Sequence, residues 1–227
     1  MGGTRYNARG IDEEGNVSNH TEVEQICYIM QKHDPPMTFK NSMNEISSVT
    51  KTARLYSFVQ VRGSMPFFWT QQGLLDVKIQ GSIDRSLRPF SAHFESLHKD
   101  YSGGQIMCMN LVAPGKKLEL PLLKMYEDLL QTAKLPKSSV NYKHFDFHVE
   151  CKDNSDPYYQ LIDKFLMPNH LRRAGIYCKT FRLITEEFLG QKQTKVQQYV
   201  EQRQKGVVRT NCIDCLDRTN VAQQITC

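Results

Sequence analysis

The chain has 227 residues, 40% of them apolar and 23% charged, with a formal net charge of +5 and a pI near 8.8. That is enough apolar material to bury a substantial core, and it most simply predicts one domain over residues 1–227. No apolar run approaches the ~20 residues of a membrane span, Met1-Gly2-Gly3-Thr4 lacks the apolar core of a signal peptide, and seven scattered cysteines exclude a disulfide framework and predict free thiols in reducing surroundings. The basic balance suits an acidic partner, either nucleic acid or an anionic membrane surface, and does not choose between them.

In chain order, residues 1–30 mix turn formers such as Gly15-Asn16 with charged side chains, and the β-branched content of Thr21–Met30 predicts a strand. Residues 31–54 are polar and turn-rich and predict a long surface loop or hairpin tip. Ser57–Arg62 alternates as a strand, broken by Gly63-Ser64-Met65-Pro66 before the aromatic run Phe67-Phe68-Trp69. Trp69, the single tryptophan, belongs to the core by default, whereas Arg62, at a strand end before a glycine turn, is placed to point into a cleft. A short strand is expected at Val77–Gln80. A helix follows from about Leu87 to Tyr101, because Leu87, Phe90, Phe94, Leu97 and Tyr101 recur at steps of three and four. His93 and His98 on it read as ordinary surface or boundary residues. Gln105–Ala113 is the clearest buried strand, with Cys108 an inert core thiol.

A second helix is expected over Leu118–Lys134, stopped by Pro136, and a strand over Tyr142–His148. Asp146 and His148 at the end of that strand pair a carboxylate with an imidazole, suited to acid/base chemistry or to positioning a cation. Asp156-Pro157 marks the start of a further helix carrying Leu161, Ile162, Phe165 and Leu166. Helix and strand therefore alternate, which predicts an α/β domain with a mixed, largely parallel central sheet flanked by helices. Arg172-Arg173, Lys179, Arg182, Lys192, Lys195, Arg203 and Lys205 form a basic excess, and residues 191–204 carry little apolar stripe and read as exposed.

The chain then reaches Val207-Val208-Arg209-Thr210-Asn211-Cys212-Ile213-Asp214-Cys215-Leu216-Asp217-Arg218-Thr219-Asn220. An apolar run precedes Cys212, and a helix opens near Thr219, so the layout is strand, loop, helix. Five residues separate Cys212 from Arg218. A loop of that length wraps a single phosphate, with the amides of Ile213, Cys215 and Leu216 pointing inward together with the first turn of the helix. The same field is expected to lower the pKa of Cys212, while the planar fork of Arg218 holds two phosphoryl oxygens and neutralises transition-state charge, which a lysine would not do. Thr219 is placed to hydrogen-bond the sulfur as it leaves. Asp214 and Asp217 are the loop's own candidates for the general acid. Cys212 and Cys215 also make a C-x-x-C pair, but a zinc site needs a second pair, and Cys27, Cys108, Cys151, Cys178 and Cys227 are isolated; no metal or cofactor is expected. Asp214 and Asp217 likewise disfavour a redox dithiol.

Arg209–Asn220, Arg-Thr-Asn-Cys-Ile-Asp-Cys-Leu-Asp-Arg-Thr-Asn, resembles the signature loop of the Sac-domain phosphoinositide phosphatases. Three further stretches agree: Arg5–Asp12 with Gly15-Asn16 and Glu22–Ile26, Ser57–Trp69, and Phe145-Asp146-Phe147-His148. The resemblance implies that Arg9, Glu22 and Glu24 line the catalytic face and that Arg62 lies beside it. It also implies a chain lacking the family's N-terminal subdomain and stopping about two turns into the helix after the loop. The activity it implies is removal of a phosphate from the inositol ring of membrane phosphoinositides through a phosphocysteine on Cys212. Monophosphates at the 3- or 4-position are the commonest substrates of such enzymes, met at the cytosolic face of endomembranes, with no nucleic acid involved. The remaining alternatives are a non-catalytic phosphoinositide-binding fragment and a protein tyrosine or dual-specificity phosphatase.

Overall fold

A computed structural model describes residues 8–31, 37–41, 44–72, 76–101, 103–135, 139–151, 173–188, 191–215 and 217–226. The helix expected after Asp156 lies outside them. The elements in order are β1 (Thr21–Met30), β2 (Met37–Asn41), β3 (Asn44–Arg62), β4 (Trp69–Gln72), β5 (Asp76–Ile79), α1 (Ile83–Asp100), β6 (Ile106–Asn110), α2 (Leu120–Thr132), β7 (Val140–His144), α3 (Phe147–Glu150), β8 (Tyr177–Phe188), β9 (Gln191–Gln202), β10 (Val207–Asn211) and α4 (Asp217–Thr226). They form two compact units, one of Met1–Val23, Val59–Ala174 and Lys205–Cys227, the other of Glu24–Phe58 and Gly175–Gln204, with β3 contributing to both.

In the first unit the strands run in the order β7-β6-β10-β3, all parallel. β10, last in sequence, is inserted between β3 and β6, pairing Val208 with Gln60 on one side and with Met107 on the other. Every residue of β6 and of β10 is buried, as expected for parallel strands covered on both faces. Alternation sorts the side chains. Val61, Ile106, Cys108 and Val207 join Phe90, Phe94 and Leu97 of α1 and Leu122, Met125, Tyr126 and Leu129 of α2 in one core, with Phe67 and Trp69 completing it. Gln60 and Val208 face the other way, where the Gln60 side chain donates to the Gln223 carbonyl of α4. The first unit thus has helices on both faces of a parallel sheet. As expected, Cys108 is an unreactive thiol, its pKa pushed up by burial to about 11.

The second unit is antiparallel. β2 and β3 make one hairpin, β8 and β9 another, and β3 pairs with β8 from Ser47↔Glu187 to Ser57↔Tyr177, with β1 also on β3. Residues 31–54, expected as a surface loop, therefore carry β2 and most of β3. Their polar composition suits strands because the ladder partner β8, far on in the chain, satisfies the backbone groups. β9 is exposed along its whole length, as its lack of an apolar stripe implied, yet it is a regular strand, with Lys192 and Lys195 paired to Glu187 and Glu186 across the hairpin.

Two helix boundaries also differ from expectation. α1 starts at Ile83 because the Ser82 hydroxyl caps it, accepting from the Arg85 amide at 3.4 Å. The strand expected over Tyr142–His148 ends at His144, because the Asp146 carboxylate accepts from the amides of His148 and Val149 and starts the single turn of α3.

His93 is a correction of a different kind, since it is buried rather than at the surface. Its Nε2 accepts from Nε of Arg209 at 2.9 Å, which places the ring proton on Nδ1, 3.1 Å from the Gly15 carbonyl. Arg209 is itself 1% exposed and also donates to the Asn211 side chain at 3.1 Å and to the Ser64 carbonyl at 2.7 Å. Burial and the neighbouring guanidinium hold the His93 pKa well below its usual value. The folded state therefore favours neutral imidazole. That stabilisation is complete above the unfolded pKa near 6.5 and is lost as pH falls below it, with a slope of at most about 1.4 kcal/mol per pH unit. His20 and His148 have lowered pKa values and act in the same direction, so a variant is needed to isolate the effect. In urea titrations between pH 8 and pH 5, His93→Gln is expected to be less stable than wild type at pH 8 and to lose less stability on acidification. An unchanged acid slope would contradict the neutral assignment.

Candidate active site

The central strand β10 delivers Cys212 to the carboxyl edge of the parallel sheet, where folds of this kind bind ligands. Below it, a rail of polar side chains fixes the strand end. Asn211 donates to Asn110 of β6 at 2.7 Å, and Asn110 donates in turn to the Tyr142 hydroxyl of β7 at 3.0 Å. Burying amide groups in this position is tolerable only because each has a partner.

The loop closes on the sulfur. Cys212 is fully buried, and its Sγ accepts from the Cys215 amide at 3.0 Å and from the Thr219 hydroxyl at 3.1 Å. Cys215 sits at φ +57°, the left-handed region uncommon for a residue with a side chain, and this turns its amide toward the sulfur. Its own thiol donates to the Gly63 carbonyl at the end of β3, 3.0 Å away, which ties the loop to the neighbouring strand. Both cysteines are free thiols. Among the described residues no group of side chains could hold a metal ion.

The Cys212 thiol points its own proton at Oδ1 of Asp214, 3.1 Å away. Interaction with the Cys215 thiol, burial, and the negative charge of Asp214 push its pKa well up, with the Thr219 hydroxyl pulling the other way. The expectation of a depressed thiol pKa is thus corrected. The physical reason is that the Cys215 thiol and the buried setting disfavour a charged sulfur, the Asp214 carboxylate adds to this, and the guanidinium expected to offset them is itself paired. Arg218 donates from Nη1 to the Leu111 carbonyl at 3.0 Å and to Oε2 of Glu119 at 2.9 Å, and from Nη2 to Oε1 of Glu119 at 3.3 Å.

The other sequence candidates divide. Asp217 opens α4, is exposed, and makes no described bond to the sulfur. Ile213 packs against the main core, and Leu216 lies outside the described residues. Arg62 bonds the Asn220 side chain, and so lies beside α4. His148 faces Lys116, its Nε2 2.9 Å from the ammonium, and its pKa is lowered by burial and by Lys116 and Arg218; Asp146 serves as the cap of α3. Arg9 bonds the Gln71 side chain at 3.0 Å and lies over the Trp69 ring, and Glu22 accepts from the Tyr101 hydroxyl at 2.6 Å. Glu24, in the second unit, accepts from Ser57. None of the described bonds of these three side chains reaches the loop.

Sequence reasoning missed Glu119, His93 and the role of Arg209 as a buried brace. Glu119 had one usable signal: it follows the Pro114-Gly115 turn after β6, the neighbour of β10, and so sits at the same sheet edge.

Residues 1–152 match the SacI homology domain. The chain is 34% identical to phosphatidylinositol-3-phosphatase SAC1 of Saccharomyces cerevisiae over 224 residues, 98% of this chain and 31% of that protein. It is 34% identical to phosphoinositide phosphatase SAC7 of Arabidopsis thaliana, covering 98% of this chain and 31% of the relative. With polyphosphatidylinositol phosphatase INP53 of Saccharomyces cerevisiae it shares 33% identity, over 98% of this chain and 17% of the relative. The chain thus spans at most about a third of the length of these relatives. No helix among the described residues is long and apolar enough to cross a membrane. Through the matched domain, which covers about two thirds of its length, the chain belongs to the Sac phosphoinositide phosphatase family.

Proposed function

We propose that this chain carries the phosphate-transfer site of a phosphoinositide phosphatase and cleaves a phosphate monoester from the inositol ring through a phosphocysteine on Cys212. The observation that carries the reading is the sulfur's setting: at the end of the central parallel strand, with an amide and a hydroxyl donating to it and a carboxylate receiving its proton. The phosphoinositide class is supported by the printed activities of the relatives.

In the first step Asp214 takes the thiol proton and the sulfur attacks phosphorus in line, forming the S–P bond as the P–O bond to the inositol breaks. Protonated Asp214 then returns that proton to the leaving inositol oxygen. This arrangement turns a raised thiol pKa from an obstacle into a proton relay, because sulfur is deprotonated only when an acceptor and an electrophile are both in place. Arg218 and the Ile213 amide hold the phosphoryl oxygens as charge develops. In the second step water attacks phosphorus, Asp214 takes a water proton, the S–P bond breaks with the Thr219 hydroxyl bonded to the departing thiolate, and Asp214 returns the proton to that sulfur to restore the starting thiol. Asp217 stands by as the alternative acid at the start of α4. Arg62, Arg9, Asp146 and His148 are assigned to the substrate-facing rim. The partner surface is an anionic bilayer, met from the cytosolic side of endomembranes, to which each lysine or arginine held near it adds about 1 kcal/mol of attraction.

Phosphate release from vesicles bearing each of the seven phosphorylated phosphoinositides tests this. Wild type is expected to release phosphate, Cys212→Ser to lose about 10³-fold or more, and Thr219→Ala about tenfold, the equivalent of one hydrogen bond to the leaving sulfur. Phosphate release surviving Cys212→Ser would overturn the mechanism. Turnover confined to phosphotyrosyl peptides would move the chain to protein phosphatase chemistry, and vesicle binding without turnover would make it a lipid-binding module.

A further inference from the structure

We infer that Glu119 is the positioning residue for Arg218: it holds the guanidinium in one orientation, with the fork that grips phosphate left open. The inference rests on the Cys212 reading above and deepens it. A guanidinium carries five N–H groups. Two of the Arg218 contacts run end-on from Nη1 and Nη2 to the two oxygens of Glu119, at 2.9 and 3.3 Å, and the other Nη1 hydrogen serves the Leu111 carbonyl at 3.0 Å. What remains is the side edge formed by Nε–H and the outer Nη2–H, for which the described residues supply no acceptor. That edge is the two-donor fork that matches two oxygens of a phosphate.

Glu119 is built to hold still while doing this. Its side chain is buried, its Oε2 also accepts from the Ala113 amide at 2.7 Å, and the Lys116 ammonium lies 3.7 Å from Oε1. Its backbone sits at the start of α2 and is bonded to the turn that follows β6, with the Glu119 amide donating to the Lys116 carbonyl at 2.9 Å. The carboxylate is therefore anchored to the turn after β6 while the guanidinium comes from the first turn of α4, and the pair ties the helix that follows the loop to the strand beside β10. The rotamer freedom of Arg218 is given up on folding rather than on substrate binding, so the fork meets the phosphate already aimed.

The test is a double-mutant cycle in the 227-residue chain, with Glu119→Gln, Glu119→Asp, Arg218→Ala and the two double variants. Phosphate release, orthovanadate binding by calorimetry and thermal unfolding are all measured. Glu119→Gln keeps the shape and removes the charge; it is expected to lower kcat about 100-fold, the scale of a misplaced catalytic group, with KM little changed and the unfolding temperature lowered by loss of the buried pair. Glu119→Asp, which keeps the carboxylate, is expected to recover part of that loss. In the Arg218→Ala background neither substitution should reduce turnover or vanadate affinity further. Equal losses in both backgrounds, or wild-type kcat in Glu119→Gln, would overturn the assignment while leaving Cys212 as nucleophile. Should Glu119→Gln fail to fold, the Asp variant carries the same comparison. A wild-type chain that neither turned over phosphoinositide nor bound vanadate would remove the underlying reading and this one with it.

Discussion

The site depends on how β10 is confined. Five consecutive buried residues lie between two parallel neighbours, and the register is held on both sides, Val208 against Gln60 and against Met107. A one-residue slip of this strand would exchange its two faces, sending Arg209 from the α1 side to the α4 side and rotating the base of the loop. The apolar residues alone would tolerate such a slip, since Val207 and Val208 are nearly equivalent. The polar residues would not: Arg209 finds His93, Asn211 and Ser64 only in the observed register, and Asn211 finds Asn110. Specificity comes from the polar side chains here, and their burial is tolerable because each is bonded.

The fully buried Arg209 and the partly buried Arg218 are handled in opposite ways. Arg218 is paired with a carboxylate, so the loop's own cation is locally neutralised in the resting arrangement. Among the described residues Arg209 bonds neutral acceptors, an imidazole, an amide and a carbonyl, with no carboxylate bonded to it. Leaving a charge in low dielectric without a counter-ion costs several kcal/mol unless hydrogen bonds replace its hydration, which the three acceptors do. With the Cys215 thiol beside the sulfur, its burial, and Asp214 against it, the Cys212 pKa lies well above its usual value.

Much of this was legible in the residues. The stripes of α1 and α2, the mostly apolar β6, and the strand before and helix after Cys212 follow from periodicity, because those features are local. The second unit was not legible for the opposite reason. β9 is exposed throughout and the start of β3 is polar in sequence, so no apolar period marks them, and their strand character comes from pairing with other strands. Asp146 was misread because a carboxylate at a strand end and a carboxylate capping a one-turn helix have the same sequence, and only the backbone at Phe147 separates them. His93 lay on the apolar face of a helix whose stripe was otherwise correctly read; its burial required a partner contributed from residue 209, which no window around it contains. Glu119 and the raised pKa of Cys212 were hidden for the same reason, both being properties of charges brought together by the sheet.

The central claim is that sulfur 212 takes the phosphoryl group. Rapid acid quench after mixing the protein with a phosphoinositide labelled on its ring phosphate, followed by peptide mass spectrometry, reads this directly. The account predicts a phosphoryl group on the Cys212 sulfur, formed no more slowly than phosphate is released. Label on Asp214 or Asp217 as an acyl phosphate, or full release of phosphate with Cys212 never modified, would contradict it.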